Sequence, residues 1–230
     1  MKFAFLADIH GNYDALKAVV NELPSVDRLV VLGDVLGYYP FFGECIDELE
    51  KAGTEYILGN HEAYQMNILQ KPSSPIFDWF YRYFEENASD RDRYWLKNLK
   101  VEKSIQLKDA KLKFFHGSPW NISEYIYPDF LEWSRFDSID ADIIVLGHTH
   151  RPMDVHNGKK RIINPGSVGQ PRDCNPQASY AIYDDETQQL QFYRTNYDAS
   201  RLIEAMSDLN HDEEYINVLL SPWEKSVRHS

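Results

Sequence analysis

Five of the chain's eight histidines follow directly on short apolar runs. The run closing at Ala7 gives way to Asp8-Ile9-His10, and Arg28–Leu32 to Gly33-Asp34. Tyr56-Ile57-Leu58 leads to Gly59-Asn60-His61-Glu62, Lys111–Phe115 to His116-Gly117, and Asp142–Leu146 to Gly147-His148-Thr149-His150. Each run reads as a strand, and ligands of open α/β sheets bind beyond the carboxyl ends of strands. One Asp-x-His or Gly-His-x-His alone is weak evidence, because a lone loop histidine is more commonly just hydrogen-bonded. Five polar exits of this kind in one chain point to a shared site.

The donor types narrow what that site holds. Carboxylate and amide oxygens mixed with imidazole nitrogens, without thiolate, suit Mn²⁺, Fe or Zn²⁺ better than Ca²⁺ or a cysteine-built structural zinc. Alternation along an extended chain turns residues i and i+2 to the same side. Asp8 and His10 can therefore reach one ion, as can His148 and His150. Asp8, His10, Asp34, Asn60, His116, His148 and His150 are too many for one tetrahedral ion and fit two ions sharing a carboxylate.

These residues need strands to carry them. Strand signals fall at 2–7, 28–32, 54–58, 104–107, 111–115, 142–146, 160–163, 179–183 and 190–193. Helical spacing joins Leu16, Val19, Val20 and Leu23 behind an Asn12 N-cap, and 41–52 reads as a helix ending at Gly53. Further helices are expected over 75–86, after Asp90, and around Leu202–Leu209. Strand and helix alternate early, which suggests parallel pairing. Later, 184–187 and Asn157-Gly158 are turns of hairpin type. The expectation is an α/β fold of mixed sheets covered by helices. Residues 1–223 form one domain in this reading, 62–100 a helical cap within it, and 224–230 a frayed tail.

Composition sets the outer limits. A chain of 230 residues, 43% hydrophobic, can bury a core without staples. A formal charge of −12 argues against sequence-blind nucleic-acid binding. Two cysteines, Cys45 and Cys174, make no disulfide framework and point to the cytoplasm. Apolar runs of about five residues fall short of the roughly 18 that a membrane span needs, and the N-terminus reads as a strand rather than a signal peptide.

The ordered set AspIleHisGlyAsn, GlyAspValLeuGly, GlyAsnHisGlu, HisGly and GlyHisThrHis resembles the calcineurin-like metallophosphoesterase superfamily, over residues 8–150 by motif. The resemblance implies a four-layer α/β/β/α sandwich of two mixed sheets with a small helical insertion. It implies that Asp8, His10 and His150 hold a first metal, that Asn60, His116 and His148 hold a second, and that Asp34 bridges them. His61 would be the catalytic general acid or transition-state partner. Two divalent transition-metal ions are the implied cofactor, Mn²⁺ first, with Fe, Zn²⁺ or Ni²⁺ as alternatives. The chemistry it implies would be hydrolysis by direct attack of a metal-bridging hydroxide, since paired ions clamp both sides of an in-line displacement.

Other stretches bear on the substrate. The Asp-Arg-Gly of related protein phosphatases is replaced here by Asp34-Val35-Leu36, which weakens that reading. AsnProGlySerValGlyGlnProArgAsp at 164–173 is similar to the corresponding stretch of small prokaryotic phosphodiesterases and diadenosine-tetraphosphatase-like proteins. Its turn reads equally as a phosphate cradle or as a structural corner, and Arg172 is a candidate anion contact. Asn12 is a second candidate contact, with plain capping the blander reading. Trp120, Tyr125, Tyr127 and Trp133 are candidate base-stacking rings. In the cap, Phe77, Phe80, Tyr81 and Phe84 read as core, leaving Trp79 and Tyr83 to stack. The expected function is hydrolysis of a phosphodiester or phosphoanhydride in a small substrate, nucleotides included. A phosphomonoesterase and a metal-binding, non-catalytic scaffold are the alternatives.

Overall fold

The computed structural model describes residues 1–209, 211 and 216; the expected tail at 224–230 lies outside them. Ten strands form two five-stranded mixed sheets. The first has the order β10-β9-β1-β2-β3, from β1 (Lys2–Leu6), β2 (Arg28–Val31), β3 (Glu55–Tyr56), β9 (Ala178–Asp184) and β10 (Gln189–Thr195). Here β1, β2 and β3 run parallel, while β9 and β10 form the antiparallel hairpin. The second has the order β4-β5-β6-β8-β7, from β4 (Lys103–Gln106), β5 (Lys111–Phe114), β6 (Ile143–Val145), β7 (Pro152–His156) and β8 (Arg161–Pro165). Its centre, β5-β6-β8, is parallel, and both edge strands are antiparallel.

Alternation along the strands sorts the layers. Phe3 and Phe5 of β1 face inward with Val30, Leu112, Phe114, Val145 and Tyr183, which fills the space between the sheets. Phe5 meets Phe114 edge-on across that space at 5.8 Å. Truncating a ring so buried to Ala typically costs about 3–5 kcal/mol. Ala4 and Leu6, one residue out of phase, face the helices α1 (Tyr13–Glu22) and α2 (Phe42–Lys51) through Leu16, Val19, Ile46 and Leu49. Ile144 and Ile162 of the second sheet pack outward on Ile126 and Phe136, the latter from the short α6 (Trp133–Phe136). The result is the expected α/β/β/α sandwich.

Helices α4 (Pro75–Asn87) and α5 (Asp90–Lys97) dock through Phe80, Phe84, Trp95 and Leu96 on the same apolar layer as α1 and α2. One strand and two α-helices have no counterpart among the expected elements. Strand β7 opens on a proline and sits at a sheet edge, where a missing N–H costs nothing. Helix α3 (Asn60–Gln65) begins inside the GlyAsnHisGlu motif, and α6 is a single turn. Helix α7 (Ser200–Asp208) buries Leu202 and Met206 against Tyr39. Among the described residues no helix is long and apolar enough to cross a membrane.

Candidate metal centre

The carboxyl ends of β1, β2, β5 and β6 and the first turn of α3 converge. Asp8, His10, Asp34, Asn60, His61, His116, His148 and His150 are all buried there. The chain reverses sharply as each strand delivers its side chain. Asp8, His10, Asp34, His148 and His150 all have left-handed backbone, with φ between 54° and 65°. That conformation is uncommon for residues with a Cβ and costs of order 1–3 kcal/mol each, so the surrounding packing must hold it.

Three overlapping groups of ligand atoms result: Asp8, His10 and His150; Asp34, His116 and His148; and His10, Asp34 and His61. His116 Nε2 is 3.2 Å from Asp34 Oδ2 and 2.8 Å from Asn60 Oδ1. His150 Nε2 is 3.5 Å from Asp8 Oδ1. All seven expected ligands and His61 are thus brought to one place, with Asp34 common to two groups.

The outer nitrogens fix the tautomers. Nδ1–H of His10 donates to the Leu36 carbonyl at 3.0 Å, that of His116 to Leu32 at 2.6 Å, and that of His150 to Gln170 at 2.6 Å. A carbonyl can only accept, so in the neutral rings Nε2 carries its lone pair inward. His148 is reversed: its Nε2–H donates to the Ser123 carbonyl at 3.1 Å, which turns Nδ1 toward the cluster. The inward nitrogens of His10 and His150 lie only 3.1 Å apart. Two lone pairs so close repel unless a cation lies between their donors. Burial first, then Arg172, hold the His150 ring well below its ordinary value. Burial pushes the Asp8 carboxyl up to about 8, with Asp34 adding to the rise. Strained backbones, facing acceptors and a buried carboxylate pair are the features a divalent cation relieves, and the mixed O/N donor set fits such ions.

His61 stands beside the cluster, its Nε2 3.9 Å from Asp34 Oδ2 and its backbone N–H donating to Asp34 Oδ1 at 2.9 Å. Burial pushes its ring down to about 4. A phosphate anion alongside would raise it again, since opposite charge favours imidazolium. Glu62 does not orient His61. Its carboxylate instead accepts from the N–H groups of Asp34, Leu36 and Gly59.

A cavity of about 330 Å³ opens over the cluster. Tyr38, Tyr64, Phe77, Tyr125 and Arg172 wall it. Phe77 stacks on His61 at 5.0 Å and 29°, and Tyr125 stacks on His148 at 4.1 Å. A larger groove of about 660 Å³ beside Lys2, Arg161 and Gln189 contains none of the candidate ligands.

Several expected substrate contacts lie elsewhere. Asn12 is fully buried and caps α1 by accepting from Ala15, while its amide donates to the Gly169 carbonyl and to Tyr197. Its polar atoms are committed to the fold, so the capping reading holds. The 164–173 turn is a corner rather than a cradle. Val168 and Gly169 donate their N–H groups to the carbonyls of Ala7 and Asp8, and Ser167 Oγ–H also donates to Asp8. Only Arg172 of that stretch reaches the cavity. In α4 the buried stripe is Ile76, Phe80 and Phe84, which leaves Phe77 facing His61. Trp79 and Tyr83 stack on each other and pack against the helical layer, away from the cavity. Trp120 and Trp133 pack toward Phe136 and the outer layer of the second sheet.

Residues 1–188 match the calcineurin-like phosphoesterase superfamily domain. The chain belongs to that superfamily. An uncharacterised protein of Methanocaldococcus jannaschii is 30% identical over 227 residues, covering 87% of this chain and 90% of its own length. The phosphodiesterase YfcE of Escherichia coli is 27% identical over 188 residues, covering 81% and 89%. A metallophosphoesterase of Sphaerobacter thermophilus superposes with a TM-score of 0.81 at 27% identity, covering 96% of this chain and 99% of its own. The protein is thereby placed among phosphoric ester hydrolases, and its superfamily is one that binds divalent metals. Nothing in the sequence singled out Tyr38 or Tyr64 for this phosphoesterase's cavity, and Phe77, expected in the core, lines it instead. The one available signal was the position of Tyr38 four residues after Asp34.

Proposed function

We propose that this phosphoesterase hydrolyses a phosphodiester or phosphoanhydride in a small substrate with an aryl or nucleotidyl group, using two divalent cations, Mn²⁺ first among them. The observation that carries the reading is the convergence of seven donor side chains under a cavity whose wall is His61. Asp8, His10 and His150 would hold one cation, Asn60, His116 and His148 the other, and Asp34 would touch both. When bound, the cations supply Lewis-acid charge to the phosphoryl oxygens and acidify water.

The chain's own residues supply the rest. The left-handed turns and the back-bonded Nδ1 atoms hold the ligands rigid, so little reorganisation accompanies reaction. His61 is poised to hold a proton for the departing oxygen, a role typically contributing about 10²–10⁴-fold. Tyr64 and Phe77 form an apolar wall next to His61, where a leaving group with a ring would rest. The cavity volume sits at the low end of the roughly 300–1,000 Å³ typical of small-molecule sites, which supports a small substrate.

The test is hydrolysis by metal-stripped protein reloaded with Mn²⁺, on matched aryl diester and aryl monoester substrates. Diester turnover that falls about 10²-fold or more in His61→Ala, with metal content unchanged, is expected. Monoester turnover without diester turnover would make it a phosphomonoesterase. Silence on both with metals bound would favour the scaffold.

A further inference from the structure

A guanidinium reaches the cavity over the ligand cluster from the stretch at 164–173. Arg172 follows the corner at 164–170, and its backbone N–H donates to the carbonyl of His150 at 3.1 Å. Its Nη2 donates to Gln170 Oε1 at 2.7 Å and lies 3.4 Å from the Tyr38 hydroxyl. The Gln170 carbonyl in turn holds His150 Nδ1. The guanidinium is therefore tied to the same few residues that present a candidate ligand.

Two phenols flank it. The Tyr38 ring sits 4.7 Å from His10 and 4.9 Å from His61. Its backbone φ is +56°, an outlier for a bulky residue and a mark of strain stored at a functional position. The Tyr125 ring covers His148 on the opposite side, and its hydroxyl lies within the field of the Arg172 guanidinium. Arg172, Tyr38 and Tyr125 all line the one cavity. Together they span it, from the His10 side to the His148 side, above the carboxylates.

We infer that Arg172, with the hydroxyls of Tyr38 and Tyr125, forms a phosphoryl-oxygen subsite that faces the metal-ligand cluster and takes a non-bridging oxygen of the reacting phosphate. The inference rests on the phosphoester-hydrolase reading. The donors suit that ligand: a guanidinium presents forked N–H groups that stay charged at any working pH, and phenols add neutral donors. Preorganisation is built in, because the backbone and Gln170 hold Arg172 before substrate arrives.

The experiment uses Mn²⁺-loaded protein and inorganic phosphate, with binding measured by calorimetry alongside kcat/KM on an aryl diester. Arg172→Met preserves the length of the side chain without charge. It is expected to weaken phosphate binding at least tenfold and to lower kcat/KM about 10²-fold, the scale of one lost oxyanion donor. Arg172→Lys should recover part of both. Tyr38→Phe and Tyr125→Phe, which keep the packing, should each lower kcat/KM several-fold. Unchanged phosphate affinity and kcat/KM in Arg172→Met would overturn the subsite. So would loss in Arg172→Met that traces only to lost metal, read by elemental analysis, with both Phe variants unaffected. Should wild-type protein bind phosphate yet hydrolyse neither ester, the binding arm still decides the subsite while the hydrolase reading fails separately.

Discussion

The Glu62 carboxylate accepts a hydrogen bond from the backbone N–H of Asp34 at 2.9 Å, and so holds the candidate bridging ligand from behind. The same carboxylate takes the N–H groups of Leu36 and Gly59, each at 2.8 Å. Three orphan donors of two sharp turns are thereby satisfied by one fully buried side chain. Glu62→Gln turns an amide NH₂ toward N–H donors and leaves at least one unpaired. A loss of about 2–4 kcal/mol in urea unfolding is expected from buried donors left unmade. Mn²⁺ affinity should fall about 10–100-fold, as for other groups that orient metal ligands. Equal stability and equal metal affinity in the variant would refute the assignment.

Gly37 explains the second glycine of the Asp34 motif. A Cβ there would lie 2.0 Å from Nδ1 of His61, at a φ of +100°. Gly37→Ala must displace the His61 ring, so diester turnover should fall about 10²-fold or more while metals stay bound. Gly53 is the control: it also has positive φ, but a Cβ there meets nothing within 4 Å. Gly53→Ala should cost only left-handed strain, about 1–2 kcal/mol, and leave turnover unchanged. Similar kinetics for the two variants would sink the steric argument.

The parts of this fold readable in the sequence are those set by local rules. Period-two alternation gave β1 its two faces, Phe3 and Phe5 against Ala4 and Leu6, and polar exits from apolar runs marked every candidate ligand. Side chains that depend on long-range packing were not legible. Phe77 and Phe80 compete for the same helix face, and only docking against α2 decides that Phe80 is buried and Phe77 meets His61. Asn12 could serve a ligand or a cap, and the Gly169 carbonyl, 157 residues away, settles it. Tyr38 was hidden because nothing local marks a tyrosine for left-handed backbone.

Acid should weaken the sheet edge at β3. Glu55 binds Arg28 through Nε at 2.5 Å and also pairs with Lys103 of the other sheet. Burial alone would raise its carboxyl, but hydrogen bonds from Arg28 and Lys103 outweigh it and hold the group below the ordinary 4.5. A depressed folded value means the stabilisation is complete above about pH 4.5 and fades as pH falls through that value. The pair is partly exposed, so its worth is about 1 kcal/mol or less. Urea unfolding of wild-type and Glu55→Gln protein should therefore differ most at pH 7 and converge below about pH 4.5. A difference that grows on acidification would contradict this sign.

Loading metal-free protein with Mn²⁺ at pH 7 should release protons. Burial alone would depress the His116 ring, but Asp34 and Asp8 outweigh it and hold it up at about 9. The buried Asp8 carboxyl rises to about 8. At pH 7 these groups therefore retain protons when no cation is present, and ligation requires that they lose them. The two interact across 3.9 Å, so the protons belong to the pair, and the count to expect is at least one. Calorimetry in two buffers of different ionisation enthalpy gives that count directly. Because protons compete with the metal, affinity should climb from pH 6 to about pH 9 and then level off. Chelation should lower thermal stability, with saturating metal at 100 times its Kd adding about 2.7 kcal/mol. Metal uptake without proton release, and with affinity flat across that range, would mean that the ions bind away from Asp8 and His116.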